Sequence, residues 1–171
     1  MERQELTWQW IDQACDRLAI NILRDGWVPD YIVGITRGGL TPGVILSQNL
    51  KVPMYTLKVS LRDGGDEDCD HNLWMAEDAF GYGSAGCLED PKSNILIVDD
   101  INDSGATIGW IKKDWPASCL PNSPEWGEIW HHNVKFAVLV NNLSSTETVD
   151  YYAMEINKKE RDVWIDFPWE R

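Results

Sequence analysis

Twice in this chain a short apolar run ends at a glycine-bearing turn that leads straight into a helical pattern, in "YIVGITRGGLTPGVILSQNL" (31–50) and in "NILIVDDINDSGATIGWIKKDW" (94–115). An oily, β-branched run bounded by turn residues reads as a buried strand, and a helix directly after it carries the chain back across a sheet. Such units build parallel sheets, whose strands are apolar on both faces because helices cover both. "PMYTLKVSL" (53–61), "VKFAVLV" (134–140) and "DYYAMEI" (150–156) supply further strands. Leu6, Trp10, Ala14, Leu18 and Ile22 recur at helical spacing, which predicts a first helix that stops at Asp25-Gly26. The expected fold is α/β, a central mostly parallel β-sheet flanked by helices.

Two stretches break the rhythm: 61–93, acidic and glycine-bearing, and 116–133, with Pro116, Pro121 and Pro124. Both read as long surface loops, which in a compact domain are usually functional lids or disordered segments. Within the first, Asp66, Asp68, Asp70 and Glu77 stand at the offsets of a calcium-binding EF-hand loop, but His71 takes the place where a glycine makes the bend. A solvated lid is the preferred reading. The 171 residues suit one domain spanning 1–171.

A net charge of −13 argues against nucleic-acid or anionic-membrane partners, which demand clustered Lys and Arg, and leaves a small ligand. No run approaches a membrane span, and "MERQELTWQW" carries charges where a signal peptide needs its oily segment, so a cytoplasmic location is expected. Cys15, Cys69, Cys87 and Cys119 lie far apart with no CxxC pair, so zinc or redox spacing is absent.

Ligands of open α/β sheets bind beyond the carboxyl ends of the strands, where both informative turns fall. In "DSGAT" (103–107), Gly105 and a helix start leave N–H groups unpaired while Ser104 and Thr107 add hydroxyls, a set that suits a monoester phosphate. An ordinary helix cap on Asp103 or Ser104 reads equally well from the turn alone. Asp99 and Asp100 tip the balance. Carboxylates do not belong beside a bare phosphate, since like charges at ~4 Å repel by about 4 kcal/mol at an effective dielectric near 20. Sugar hydroxyls or a Mg2+ ion would resolve the conflict, and a phosphorylated sugar brings both kinds of partner. "GITRGG" (34–39) adds Arg37 and two glycine amides, a second anion site.

The stretch "ILIVDDINDSGAT" resembles the signature of the type I phosphoribosyltransferases. "VGITRGGLTPGVILSQ" before it and "VWIDFPWE" after it are similar to the xanthine-guanine (purine) branch. The resemblance implies the type I fold with a C-terminal hood (about 157–171) and a long mobile loop (about 61–93). It implies transfer of the phosphoribosyl group of 5-phosphoribosyl-1-pyrophosphate (PRPP) to a nucleobase, foremost a 6-oxopurine, with Mg2+ required. Dimers or tetramers are common in the family.

By the same resemblance Asp103, Ser104, Gly105, Ala106 and Thr107 hold the 5-phosphate, and Asp99 and Asp100 sit by the ribose hydroxyls and metal. Thr36, Arg37, Gly38 and Gly39 hold the pyrophosphate, with a cis peptide expected between Thr36 and Arg37. Asp103 is the candidate general base, competing with its reading as a cap. In the hood, Trp164 is expected to stack on the base, Ile165 to pack beside it and Glu170 to accept from its N–H groups. The purine branch carries a Lys after the fourth strand that donates to the 6-oxo group; Asn142 stands there instead, which leaves adenine and other bases open. Two rivals remain: a non-catalytic PRPP sensor, which the complete pyrophosphate turn disfavours, and a receiver-like Mg2+ site, for which the expected second Asp and Lys are missing.

Overall fold

The computed structural model describes residues 1–61, 68–82, 91–120 and 123–170. Its elements run β1 (Glu2–Glu5), α1 (Trp8–Arg24), β2 (Tyr31–Thr36), α2 (Leu40–Leu50), β3 (Met54–Lys58), α3 (Leu73–Phe80), β4 (Ile95–Asn102), α4 (Ala106–Ser118), β5 (Val134–Asn142), β6 (Tyr151–Ile156) and β7 (Val163–Asp166). Short 3-10 turns lie at Pro124–Glu128 and Pro168–Glu170. Five strands form one sheet in the order β3-β2-β4-β5-β6, every pair parallel. The order reverses between β2 and β4, and the chain leaves the two strands toward opposite sides, so a crevice opens at their carboxyl ends.

Alternation along each strand divides the core in two. Val33, Ile35, Ile95 and Ile97 face a layer made by α3, α4 and Trp126. Ile32, Leu96, Val98, Ala137 and Leu139 face the layer of α1 and α2, which also takes in Val163, Ile165 and Phe167 from the C-terminal end. Helix α1 starts where Thr7 Oγ1 accepts from Trp10 N at 3.1 Å, buries Ile11, Ala14, Cys15, Leu18, Ala19 and Ile22, and ends at Asp25. Leu6, expected within it, lies before its first turn but is still buried.

Three features differ from the sequence reading. Residues 73–80 are helical, not loop: Asn72 Oδ1 caps Met75 N, Gly81 closes the end at φ +79°, and Met75, Ala76, Ala79 and Phe80 enter the core. Glu77 therefore sits in a helix, while Asp68 forms an ion pair with Lys58 and Asp70 Oδ2 accepts from Lys58 N, so these acids do not converge as an EF-hand requires. The rest of the expected lid, 62–67 and 83–90, lies outside the described residues. Likewise, 116–133 is not one surface loop. Pro116 belongs to the last turn of α4, and Trp126 and Ile129 are buried. Finally, β1 pairs with β7 in parallel, Glu2 opposite Val163 through Glu5 opposite Asp166, tying the N-terminal segment to the hood. No described helix is long and apolar enough to cross a membrane.

Candidate active site

The two anion turns stand side by side because β2 and β4 do. Beyond β2, the Thr36–Arg37 peptide is cis, as expected, and the turn lines a cleft of about 1040 Å³ with Lys58, Asp100, Trp169 and Glu170. Arg37 is exposed at this cleft. Gly38 is required by contact, since a Cβ there would overlap the Asp100 carboxylate. Beyond β4, residues 99–108 and Val138 enclose a second pocket of about 220 Å³, and Asp100 lines both.

Strand β4 runs through the acidic pair to Asn102, so adjacent carboxylates project to opposite faces. Asp99 continues the Ile95 and Ile97 row, sharing a pocket wall with Ile35, Ile97, Thr107 and Phe136. Asp100 continues the Leu96 and Val98 row, toward Gly38 and the large cleft. One oxygen of each takes a backbone N–H: Asp99 Oδ1 from Asp100 N at 2.9 Å, Asp100 Oδ1 from Ile101 N at 2.8 Å. Burial pushes the Asp99 carboxyl well above the ordinary range, reinforced by the charge of Asp100. Asp100 is raised as well, again chiefly by burial, with Glu170 adding to it. Partial burial disfavours both ionised carboxylates, so each gains from a positive partner.

Helix α4 starts at Gly105, φ +91°, with no side-chain cap on that residue. A Cβ there would come within 2.5 Å of Thr146 Oγ1 and 2.8 Å of Ser145 Oγ, so glycine is demanded by both conformation and space. Ser104 Oγ accepts from Ala106 N at 3.3 Å, which makes Ser104 the local cap and leaves the other first-turn amides without intrahelical acceptors. The 143–150 turn packs against this loop: Thr146 N and Oγ1 both donate to Ser104 O, and Ser145 Oγ donates to Asn102 Oδ1.

Asp103 is not the cap. Its Oδ1 accepts from Asn142 Nδ2 at 3.3 Å and its Oδ2 pairs with Lys158 Nζ at 2.8 Å. Asn142, expected to face the base, is buried behind the site. Its amide donates to the backbone oxygen and Oδ1 of Asp103, while its Oδ1 accepts from Ser144 N, Ser144 Oγ and Lys158 N. No donor is left over for a ligand.

In the hood, alternation along β7 exposes Trp164 (44%) and buries Ile165, so Ile165 packs in the core on the face opposite Trp164 rather than beside a base. Lys158 Nζ stands over the Trp164 ring, 5.7 Å from its centroid. Glu170 Oε2 accepts from Phe167 N at 3.1 Å, and the residue lines the large cleft with Asp100 and Trp169. Sequence reasoning missed Lys158 and the turn at 144–147 that braces the loop. "NKKE" carries no periodicity and looks like a solvated turn; only a basic pair in an acidic chain, just before the hood, could have drawn notice.

A family model described as phosphoribosyl transferase domain matches residues 6–170. The chain is similar to proteins named xanthine-guanine phosphoribosyltransferase, at 28% identity from Roseobacter denitrificans (96% of this chain, 84% of that protein) and at 29% from Cereibacter sphaeroides (96% and 85%). Among solved structures, a purine phosphoribosyltransferase from Pyrococcus horikoshii superposes with a TM-score of 0.68 at 26% identity, covering 100% of this chain and 96% of that one.

Proposed function

Because this chain belongs to the phosphoribosyl transferase domain family, we propose that it is a purine phosphoribosyltransferase, moving the 5-phosphoribosyl group of PRPP to a 6-oxopurine with release of pyrophosphate. One observation carries the reading: two anion-accepting turns at adjacent strand ends with a half-buried carboxylate pair between them. PRPP has a phosphate at one end of its sugar, a diphosphate at the other and hydroxyls in the middle, which is the order of those features.

In this reading the α4 amides, Ser104, Ala106 and Thr107 take the 5-phosphate in the smaller pocket. Asp99 and Asp100 take the ribose hydroxyls and Mg2+. Two features support the fit of a divalent cation: the raised carboxyls, and the place of Asp100 in the lining of both pockets. When bound, Mg2+ supplies positive charge to the pyrophosphate oxygens as they leave. Thr36 to Gly39 present amides and the Arg37 guanidinium to the same charge, which develops in the transition state and is there worth most. Trp164 offers a flat face for the base, and Asp103, held by Asn142 and Lys158, accepts the proton of a ring N–H as the base bonds to C1. A cytoplasmic salvage enzyme and a homo-oligomer are consistent with this reading.

The test is incubation with Mg2+, PRPP and a panel of purines and pyrimidines, with identification of the nucleotide formed. A 6-oxopurine nucleotide together with pyrophosphate is expected, and Asp103→Asn should lower kcat by about 10²-fold with little change in KM for PRPP. Tight PRPP binding without any nucleotide product would point to a sensor and overturn the reading.

A further inference from the structure

Resting on that reading, we infer that Thr146 and Lys112 are positioning residues for the 5-phosphate of the substrate, which together aim the Gly105 amide at it from outside the pocket. Neither residue lines the smaller pocket, whereas Gly105 does. The geometry begins at one peptide unit. Thr146 N at 3.1 Å and Thr146 Oγ1 at 2.9 Å both donate to Ser104 O, so this carbonyl is held toward the 143–150 turn. A trans peptide is planar, with its C=O and N–H pointing opposite ways. The Ser104–Gly105 peptide is trans, and its N–H, belonging to Gly105, therefore faces away from the turn. Gly105 stands at φ +91°, and a glycine turns about its backbone more freely than any other residue. An amide on such a residue keeps one direction only if something outside it holds the peptide, and the two bonds from Thr146 do so.

The turn that carries Thr146 is in its own right fastened to α4 by a single ammonium. Lys112 Nζ donates to Glu147 Oε2 at 2.7 Å, and both side chains are only 23% exposed. The same Nζ stands 3.2 Å from His131 Nε2, while His131 Nδ1 lies 3.0 Å from Asp150 Oδ2. An ammonium can only donate, so the ring accepts at Nε2 and carries its proton at Nδ1, toward Asp150. Asp150 Oδ2 also takes Phe136 N at 2.8 Å, which ties the end of the turn to β5. Lys112 thus reaches Glu147 directly and Asp150 through His131. His131 has a backbone φ of +63°, a strained setting for a residue with a side chain, in a turn closed by its own N–H on Val134 O at 2.7 Å. Ser104 and Lys112 are separated by roughly 10 Å along α4, and a turn fastened at both cannot pivot about either.

The experiment compares wild type, Thr146→Val, Thr146→Ser and Lys112→Met, with two ligands titrated calorimetrically in Mg2+: ribose 5-phosphate, which carries the 5-phosphate alone, and pyrophosphate, which belongs to the other turn. Thr146→Val keeps the shape and the backbone bond and removes the hydroxyl. In Thr146→Val and Lys112→Met the Kd of ribose 5-phosphate should rise about five- to tenfold, with pyrophosphate within about twofold of wild type. KM for PRPP should rise in parallel and kcat at saturation stay within about twofold, while Thr146→Ser, which retains the donor, should bind ribose 5-phosphate nearly as wild type does. Should Lys112→Met fail to fold, Thr146→Val still decides. A purely structural role would weaken both ligands together, so equal losses overturn the inference, as does undiminished ribose 5-phosphate binding by folded Thr146→Val. A wild type that binds neither ligand and makes no nucleotide removes the proposed function and the inference with it. A wild type that makes nucleotide, beside a Thr146→Val that keeps its affinity for ribose 5-phosphate, removes the inference alone.

Discussion

Asp99 and Asp100 are both raised chiefly by burial, and the consequence is a stability that depends on pH. Both carboxyls titrate above the ordinary aspartate value of 3.8, so the folded chain retains protons that the unfolded chain has already released. The contribution is favourable below that value and is lost as pH rises through the folded-state values. A divalent cation reverses the balance by favouring the ionised pair. We therefore expect the rise in Tm on adding Mg2+ to grow between about pH 5 and pH 8, each ~1 kcal/mol of stabilisation giving roughly 2–4 °C for a chain of this size. Asp99→Asn should raise Tm in metal-free solution at neutral pH and flatten the Mg2+ effect, while lowering turnover. Calorimetry across that range decides it: a Mg2+ effect independent of pH contradicts the assignment.

Elements whose own side chains bury themselves could be read from the sequence; elements defined by what they meet could not. β2, β4 and β5 announce themselves because Ile, Val and Leu occupy both faces, and the glycine turns after β2 and β4 betray the site. β1, "ERQE", has no apolar alternation and exists only through its pairing with β7. α3 did leave a trace, a capping Asn72 and a closing Gly81 around "LWMAEDAF", outweighed by the acidic run before it. Trp164, Asp103 and the two anion turns were legible, whereas the true setting of Asn142 was hidden, because facing out or in depends on the turn packed over it. The Pro124–Glu128 turn shows how much such a segment can matter. Trp126 is buried, packs against Phe80 and Trp130, and donates from Nε1 to Cys119 O at 3.0 Å. Trp126→Ala should cost about 3–5 kcal/mol, read by denaturant unfolding, with kcat little changed in the folded fraction.

At the scale of the whole molecule, the first strand and the last are one piece. Glu2 N donates to Asp162 O and Leu6 N to Asp166 O, both at 2.9 Å; Arg161 pairs with Glu2, and Arg3 Nε lies 3.4 Å from Asp166 Oδ2. Removing residues 1–5 should loosen the segment that carries Trp164, raising KM for the base about tenfold while KM for PRPP moves less than twofold, as steady-state kinetics with each substrate varied would show. A larger effect on PRPP would mean that the small sheet supports the wrong half of the site. The burial of Asn142 has a consequence for how such an enzyme can change over generations. A lysine at 142 would thrust a second cation among atoms already satisfied, next to Lys158, and a neutral residue at 158 would leave the Asp103 carboxylate without its cation. Because Asn142 and Lys158 both hold Asp103, substitutions at the two positions are expected to be non-additive.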